Sequence, residues 1–298
     1  MPERPTNPAN HRQKSNLIYR KVLHYFLTKM IVASGIIVGF VFLVELVRRP
    51  LELTNLSEGI KSLIVAILHA TVTVIAYRKI FAAYEKRPIS ELSLADFTGH
   101  AVTGFATGIL MQAFFILVIC LAGTYSVLQT NLITYLAQPF AFALTAGFVA
   151  EIIIIGVVFR LLERQTGTMI ALVIFIILFA ALHIKSQGAT VISVCATAMQ
   201  AGFMLPAAFV FSRSLWLPIF LHFGWDLAEP GIFGAINPSN SLTQGLLTSK
   251  IEGSPIITGG VRGPQDSLES MLLSLALGLV FLLFAMKKGR ILRPKWEE

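Results

Sequence analysis

Charge is what this chain has least of. Only 13% of its 298 residues are Asp, Glu, Lys or Arg, while 55% are hydrophobic and the mean hydropathy is +0.73. A water-soluble domain carries about 25% charged residues, so one soluble globular domain is excluded. Cysteine is almost absent too. Cys120 and Cys195 both fall inside apolar runs and form no CxxC pair, which excludes a disulfide framework and reads as two small packing residues. There is no HExxH, so an ordinary zinc peptidase helix is missing. There is also no internal repeat and no pair of glycine-broken helices of the kind that marks many transporters. The net charge of +8 does not point to nucleic acid, because the basic residues lie between apolar blocks and at the chain ends. Behind the first apolar block stands Arg48-Arg49-Pro50 and no small-residue cleavage site, so that block reads as a retained helix.

What is present is long apolar blocks, at roughly 30–47, 62–77, 100–122, 137–159, 168–184, 189–211, 215–227 and 270–286. They predict an all-α fold, a polytopic membrane helix bundle of about eight transmembrane helices. Spanning takes about 20 residues, so the second and seventh blocks read as short, the seventh ending inside the protein where it can line a cavity. The chain divides into a polar, disorder-prone leader (1–29), N-terminal helices (30–135), a membrane core (136–286) and a basic tail (287–298). With the leader inside, 18 of the 24 Lys and Arg residues fall in cytoplasmic segments, which predicts both termini in the cytoplasm and 228–269 on the far side.

Ionisable groups in such helices cost about 2.5–3.5 kcal/mol each on insertion scales and call for a reason. Glu45 lies beside Arg48 and Arg49 and reads as snorkelling to the interface. His69 and His100 are isolated and read as hydrogen-bonded packing histidines. Glu151, His183, His222 and Asp226 are related by position. Glu151 lies 16 residues before Gly167 and His183 lies 16 after it. A hairpin turning at Gly167, with helices rising about 1.5 Å per residue, brings the two side chains to one height. His222 and Asp226 are spaced i, i+4 and share a helix face. These four groups either serve chemistry in one polar cavity or satisfy one another as buried packing contacts.

Three stretches resemble motifs of the CAAX-protease and bacteriocin-processing family, the intramembrane endopeptidases related to type II CAAX prenyl proteases. Phe179-Ala-Ala-Leu-His183 is similar to its Phe-x-x-x-His motif, and His222-Phe-Gly-Trp-Asp226, after Leu215-Trp-Leu-Pro-Ile, to its His-x-x-x-Asn/Asp motif. Thr258-Gly-Gly-Val-Arg-Gly-Pro-Gln-Asp-Ser267 is similar to a late loop of bacterial members. The first motif, Glu-Glu-x-x-x-Arg, is degenerate. When Gly156-Val-Val-Phe-Arg-Leu-Leu-Glu163 is aligned, Glu151 takes the second glutamate, Ala150 replaces the first and Ile155 replaces the arginine.

The resemblance implies that Glu151 and His183 activate water and that His222 and Asp226 bind the oxyanion, with Asp226 better suited to orient His222. Phe179 and Trp225 become candidates for substrate contact. It leaves a divalent metal open and implies membrane lipid, and a peptide or a prenylated protein, as partners. The alternative is a pseudopeptidase acting as a binding, immunity or scaffolding protein, because Ala150 offers no base. For topology the expectation is direct: a cysteine placed at Asn240 is labelled from outside intact cells and one at Arg290 is spared, and the reverse pattern contradicts the model.

Overall fold

The computed structural model describes residues 25–235 and 245–295; most of the leader lies outside them. Six helices are long and apolar enough to cross a membrane: α1 (Phe26–Glu52), α2 (Glu58–Glu85), α3 (Phe97–Leu121), α4 (Ile133–Thr166), α6 (Val191–Ser212) and α8 (Leu268–Lys287). Two further helices, α5 (Thr168–His183) and α7 (Trp216–Leu227), are shorter. The bundle is thus an all-α membrane fold, and among the described residues six helices reach a spanning length and composition.

The second apolar block is not short. Ser57 caps α2 by accepting from the Ile60 N–H, and the helix runs 28 residues to a left-handed Lys86, because its charged ends find partners outside the apolar stretch. At the far end Tyr77 donates to Glu91 Oε1 at 2.8 Å, Arg87 forks onto the same carboxylate, and Arg160 of α4 meets Glu85 at 2.9 Å. Burial alone would raise the Glu91 carboxyl, but the Arg87 hydrogen bonds and the nearby Arg160 charge hold it at about 2, against an ordinary 4.5. Its stabilisation is therefore complete above about pH 4.5 and is lost only as pH falls towards about 2.

The turn between α4 and α5 is the expected one. Gly167 adopts φ 79°, which favours glycine, and the carboxyl-terminal segment folds across it, with Thr168 N–H donating to Leu292 O at 3.1 Å. Within α4 two π-helical stretches, Ala146–Ala150 and Ile152–Phe159, flank Glu151. The wide turns free the Gly156 carbonyl, which accepts from Tyr77 Oη at 3.2 Å and Arg160 Nε at 2.9 Å.

The segment that follows α7 carries secondary structure among the described residues. Strand β1 (Tyr125–Thr130) pairs antiparallel with β2 (Leu247–Ile251), in register Tyr125↔Ile251 and Thr130↔Leu247, with a bulge between Val127 and Gln129. Tyr125 Oη donates to Phe233 O at 2.7 Å, tying this ladder to the end of α7. Cys120 and Cys195, read from the sequence as small packing residues, are exposed at the surface of the bundle.

α7 is buried nearly throughout and lies close along α3. The approach depends on glycine. A Cβ at Gly104 would stand 2.6 Å from Leu217 O, one at Gly108 would stand 2.6 Å from Trp225 N, and Gly224 faces the Phe105 carbonyl as tightly. Helices in lipid associate by such close backbone packing because lipid supplies no hydrophobic drive between them. Gly108→Leu is expected to destabilise the fold by about 1–3 kcal/mol, as overpacking does; thermal unfolding in detergent measures it, with Gly39→Leu as a control at a site with no neighbour within 4 Å.

Candidate active site

A cavity of about 350 Å³ opens inside the bundle, lined from α4 by Glu151 and Ile154, from α5 by Phe179 and His183, and from α7 by His222, Trp225 and Asp226. The four ionisable residues singled out by spacing therefore meet in one place, together with both aromatic candidates. Ala150 is not among the lining residues and Ile155 is fully buried in the apolar core, so neither departure from the motif faces the cavity.

The partners differ from the simplest reading of the spacing. Glu151 bonds to the later histidine, not to His183: its Oε1 lies 2.7 Å from His222 Nδ1. The other ring nitrogen, His222 Nε2, lies 3.3 Å from Asp226 Oδ2. A carboxylate–imidazole–carboxylate row thus runs from α4 into α7. Either the ring donates at both nitrogens, or one carboxyl carries the proton and donates to the ring. In both cases His222 has no free N–H for a developing oxyanion. Glu151 is 2% exposed, and its second oxygen, Oε2, has no hydrogen-bond partner among the described residues. A buried carboxylate oxygen without a partner in a cavity is placed to hold water.

His183 is fixed separately. Its Nδ1 lies 2.9 Å from the Phe179 carbonyl, and its ring stacks on Phe179 with centroids 6.0 Å apart and planes 6° apart. A carbonyl only accepts, so Nδ1 carries hydrogen and the neutral ring leaves Nε2 as an acceptor. Trp225 tilts against His222 at 5.6 Å. The i, i+4 spacing of each motif thus places a partner beside a histidine: the Phe179 ring and carbonyl beside His183, and the Asp226 carboxylate beside His222.

Sequence reasoning missed several lining residues. Glu229, 3% exposed, sits one turn beyond Asp226, and its Oε1 has no partner among the described residues. The seventh apolar block ends at 227 by hydropathy, which leaves Glu229 outside it; its i, i+3 spacing from Asp226 is the available signal. Thr197 and Gln200 come from α6, where uncharged polar side chains give no such signal. Gln200 Nε2 donates to Gln265 O at 2.6 Å, and Thr197 Oγ1 lies 3.3 Å from Asp266 Oδ1. These bonds hold the late glycine loop over the cavity, with Arg262 paired to Asp266. Gly259, Gly260 and Gly263 have φ of 73°, 61° and 90°, so the loop's tight path needs its glycines. Burial raises the Asp266 carboxyl and the Arg262 pair only partly offsets it.

The remaining polar residues lie elsewhere. Glu45 sits 3.5 Å from His69 and 3.8 Å from Arg48, beside a second hollow of about 280 Å³. His69 Nε2 also lies 3.2 Å from the Val41 carbonyl, as a packing histidine does. His100 stays at the start of α3, apart from the cavity. Among the described residues no three His, Cys, Asp or Glu side chains are arranged to hold a metal. His222 spends both ring nitrogens on carboxylates, so the donor set does not fit a divalent ion and no step here runs through one.

Residues 130–228 match the family model described as Type II CAAX prenyl endopeptidase Rce1-like. The match takes in Glu151, His183, His222 and Asp226 and stops before the late glycine loop. No curated protein and no solved structure matches the chain. The chain is a multi-pass membrane protein that carries, over residues 130–228, a region of the type II CAAX prenyl endopeptidase Rce1-like kind.

Proposed function

We propose that the protein is an intramembrane endopeptidase in which Glu151 fills the vacancy at Ala150, acting on a peptide or the carboxyl-terminal part of a prenylated protein. One observation carries the reading: Glu151, locked by His222 at 2.7 Å, lines the cavity together with His183, and its second oxygen has no hydrogen-bond partner among the described residues. A base must reach the water it activates, and here two acceptors, Glu151 Oε2 and His183 Nε2, border the same space. Water attacks the scissile carbonyl carbon as its proton passes to one of them and the carbonyl electron pair moves onto oxygen; the same group then returns that proton to the amide nitrogen as the C–N bond breaks, releasing the amine and the new carboxyl end. Asp226 and Glu151 hold the His222 ring between them. As Glu151 takes up the proton it becomes a weaker acceptor for Nδ1–H, and that N–H is then shared with the forming oxyanion. Phe179 and Trp225 provide apolar walls that suit the side chains of a membrane-delivered segment. The leader and tail face the cytoplasm in this reading, as the basic residues prefer.

A purified sample in lipid bicelles should cleave a farnesylated peptide library. Glu151→Gln should lower the rate by about 10²–10⁴, as loss of a general base does, and His183→Ala should lower it comparably. Cleavage that survives Glu151→Gln contradicts the assignment.

A second reading, a peptide-binding protein without turnover, is favoured by the full occupation of both His222 nitrogens. The two separate on turnover by the unmodified chain: the enzyme reading predicts peptide cleavage that Glu151→Gln removes, whereas the binding reading predicts peptide bound and recovered intact.

A further inference from the structure

Away from the cavity, the ends of α2, α4, α6 and α8 gather at one face, and a hollow of about 410 Å³ opens there, lined by Arg87, Arg160, Arg164 and Arg213. The carboxylates that meet these guanidinium groups are Glu85, Glu91 and Glu163. Four cations therefore share three anions among the described residues: each guanidinium has a carboxylate partner, Glu85 serves three of them, and the cluster carries a net positive charge. Arg160 is the telling member. It is 4% exposed, yet its Nη2 has no hydrogen-bond partner among the described residues. Its other nitrogens are spent on Glu85 and the Gly156 carbonyl, and its face rests on the Phe81 ring at 4.4 Å. A buried guanidinium N–H without an acceptor is costly, and a hollow beside it invites one. Arg213, meanwhile, holds a left-handed backbone at φ 55°, uncommon for a side chain of its size, and is kept there by its pair with Glu163 at 2.8 Å.

We propose that this hollow binds a phosphate-class anion, supplied by the headgroup of an acidic phospholipid at the membrane surface. The reasoning is chemical. Guanidinium forks match phosphate oxygens two at a time and are less strongly hydrated than ammonium groups. A basic recess between helix ends, level with the headgroups, is where acidic lipids meet a membrane protein. A headgroup phosphate accepts from Arg160 Nη2, draws in the half-exposed Arg164 and balances the surplus charge. It thereby ties α2 to α4 and α6 at the end of the bundle remote from the cavity. This site is independent of whether the cavity hydrolyses peptides.

The test uses the full-length protein in detergent, with native mass spectrometry and thermal unfolding against three probes: phosphatidylglycerol, phosphatidylcholine and inorganic phosphate. Phosphatidylglycerol should bind and stabilise the wild type where phosphatidylcholine does not. Arg164→Gln should weaken that binding by about fivefold, the effect of one basic residue near an anionic lipid. Arg164→Lys, which keeps the charge, should fall between and serves where the glutamine variant does not fold. If inorganic phosphate stabilises equally and displaces the lipid, the anion comes from solution and the site stands. Equal binding of phosphatidylglycerol and phosphatidylcholine, with no effect of inorganic phosphate, overturns the proposal. So does phosphatidylglycerol binding that neither variant weakens.

Discussion

The imidazole of His222 is held by a carboxylate at each nitrogen, and the rest of the site is arranged around that pair of contacts. One carboxylate comes from α4 and the other from the next turn of α7, so the ring joins the two helices and fixes where each points. In an apolar bundle each of these groups is expensive alone, and mutual hydrogen bonding is what makes them tolerable. It also divides the labour at Glu151. One oxygen is committed to the ring, and the other has no hydrogen-bond partner among the described residues.

The packing explains why the ring can be there. α7 is twelve residues long and is walled in by its neighbours, which suits a helix that carries functional groups but does not cross lipid by itself. Its seat depends on the glycines of α3 and on Gly224, which let backbones approach where any side chain would collide. On the opposite wall, the π-helical stretches of α4 shift Glu151 out of an ordinary helical register, a device often found where a helix must aim one side chain. The late glycine loop closes the remaining side through Gln200 and Thr197. Helices α4, α5, α6 and α7 and the late glycine loop thus surround one small polar volume.

Much of this was legible beforehand. The helix bundle followed from the apolar blocks, and the equal distances of Glu151 and His183 from Gly167 placed both at the cavity, because a tight antiparallel hairpin preserves height. The i, i+4 relation of His222 and Asp226 translated directly into a contact. What could not be read was pairing across helices that are not neighbours in sequence. That Glu151 would choose His222 over His183 depends on the rotation of α4, which its π turns alter and no spacing rule captures. Glu229 escaped because a block boundary was drawn by hydropathy two residues too early. The length of α2 escaped because its charged ends, read as loop, are neutralised by ion pairs formed only in the fold.

The central claim is that Glu151 works through its contact with His222. A double-mutant cycle on kcat/KM for cleavage of one farnesylated peptide tests it, using Glu151→Gln, His222→Ala and the two together. Residues that act as one unit lose far less together than the product of their separate losses, so the double variant should be about as slow as the slower single one. Losses that simply multiply, or a wild type that binds the peptide without cutting it, would contradict the account.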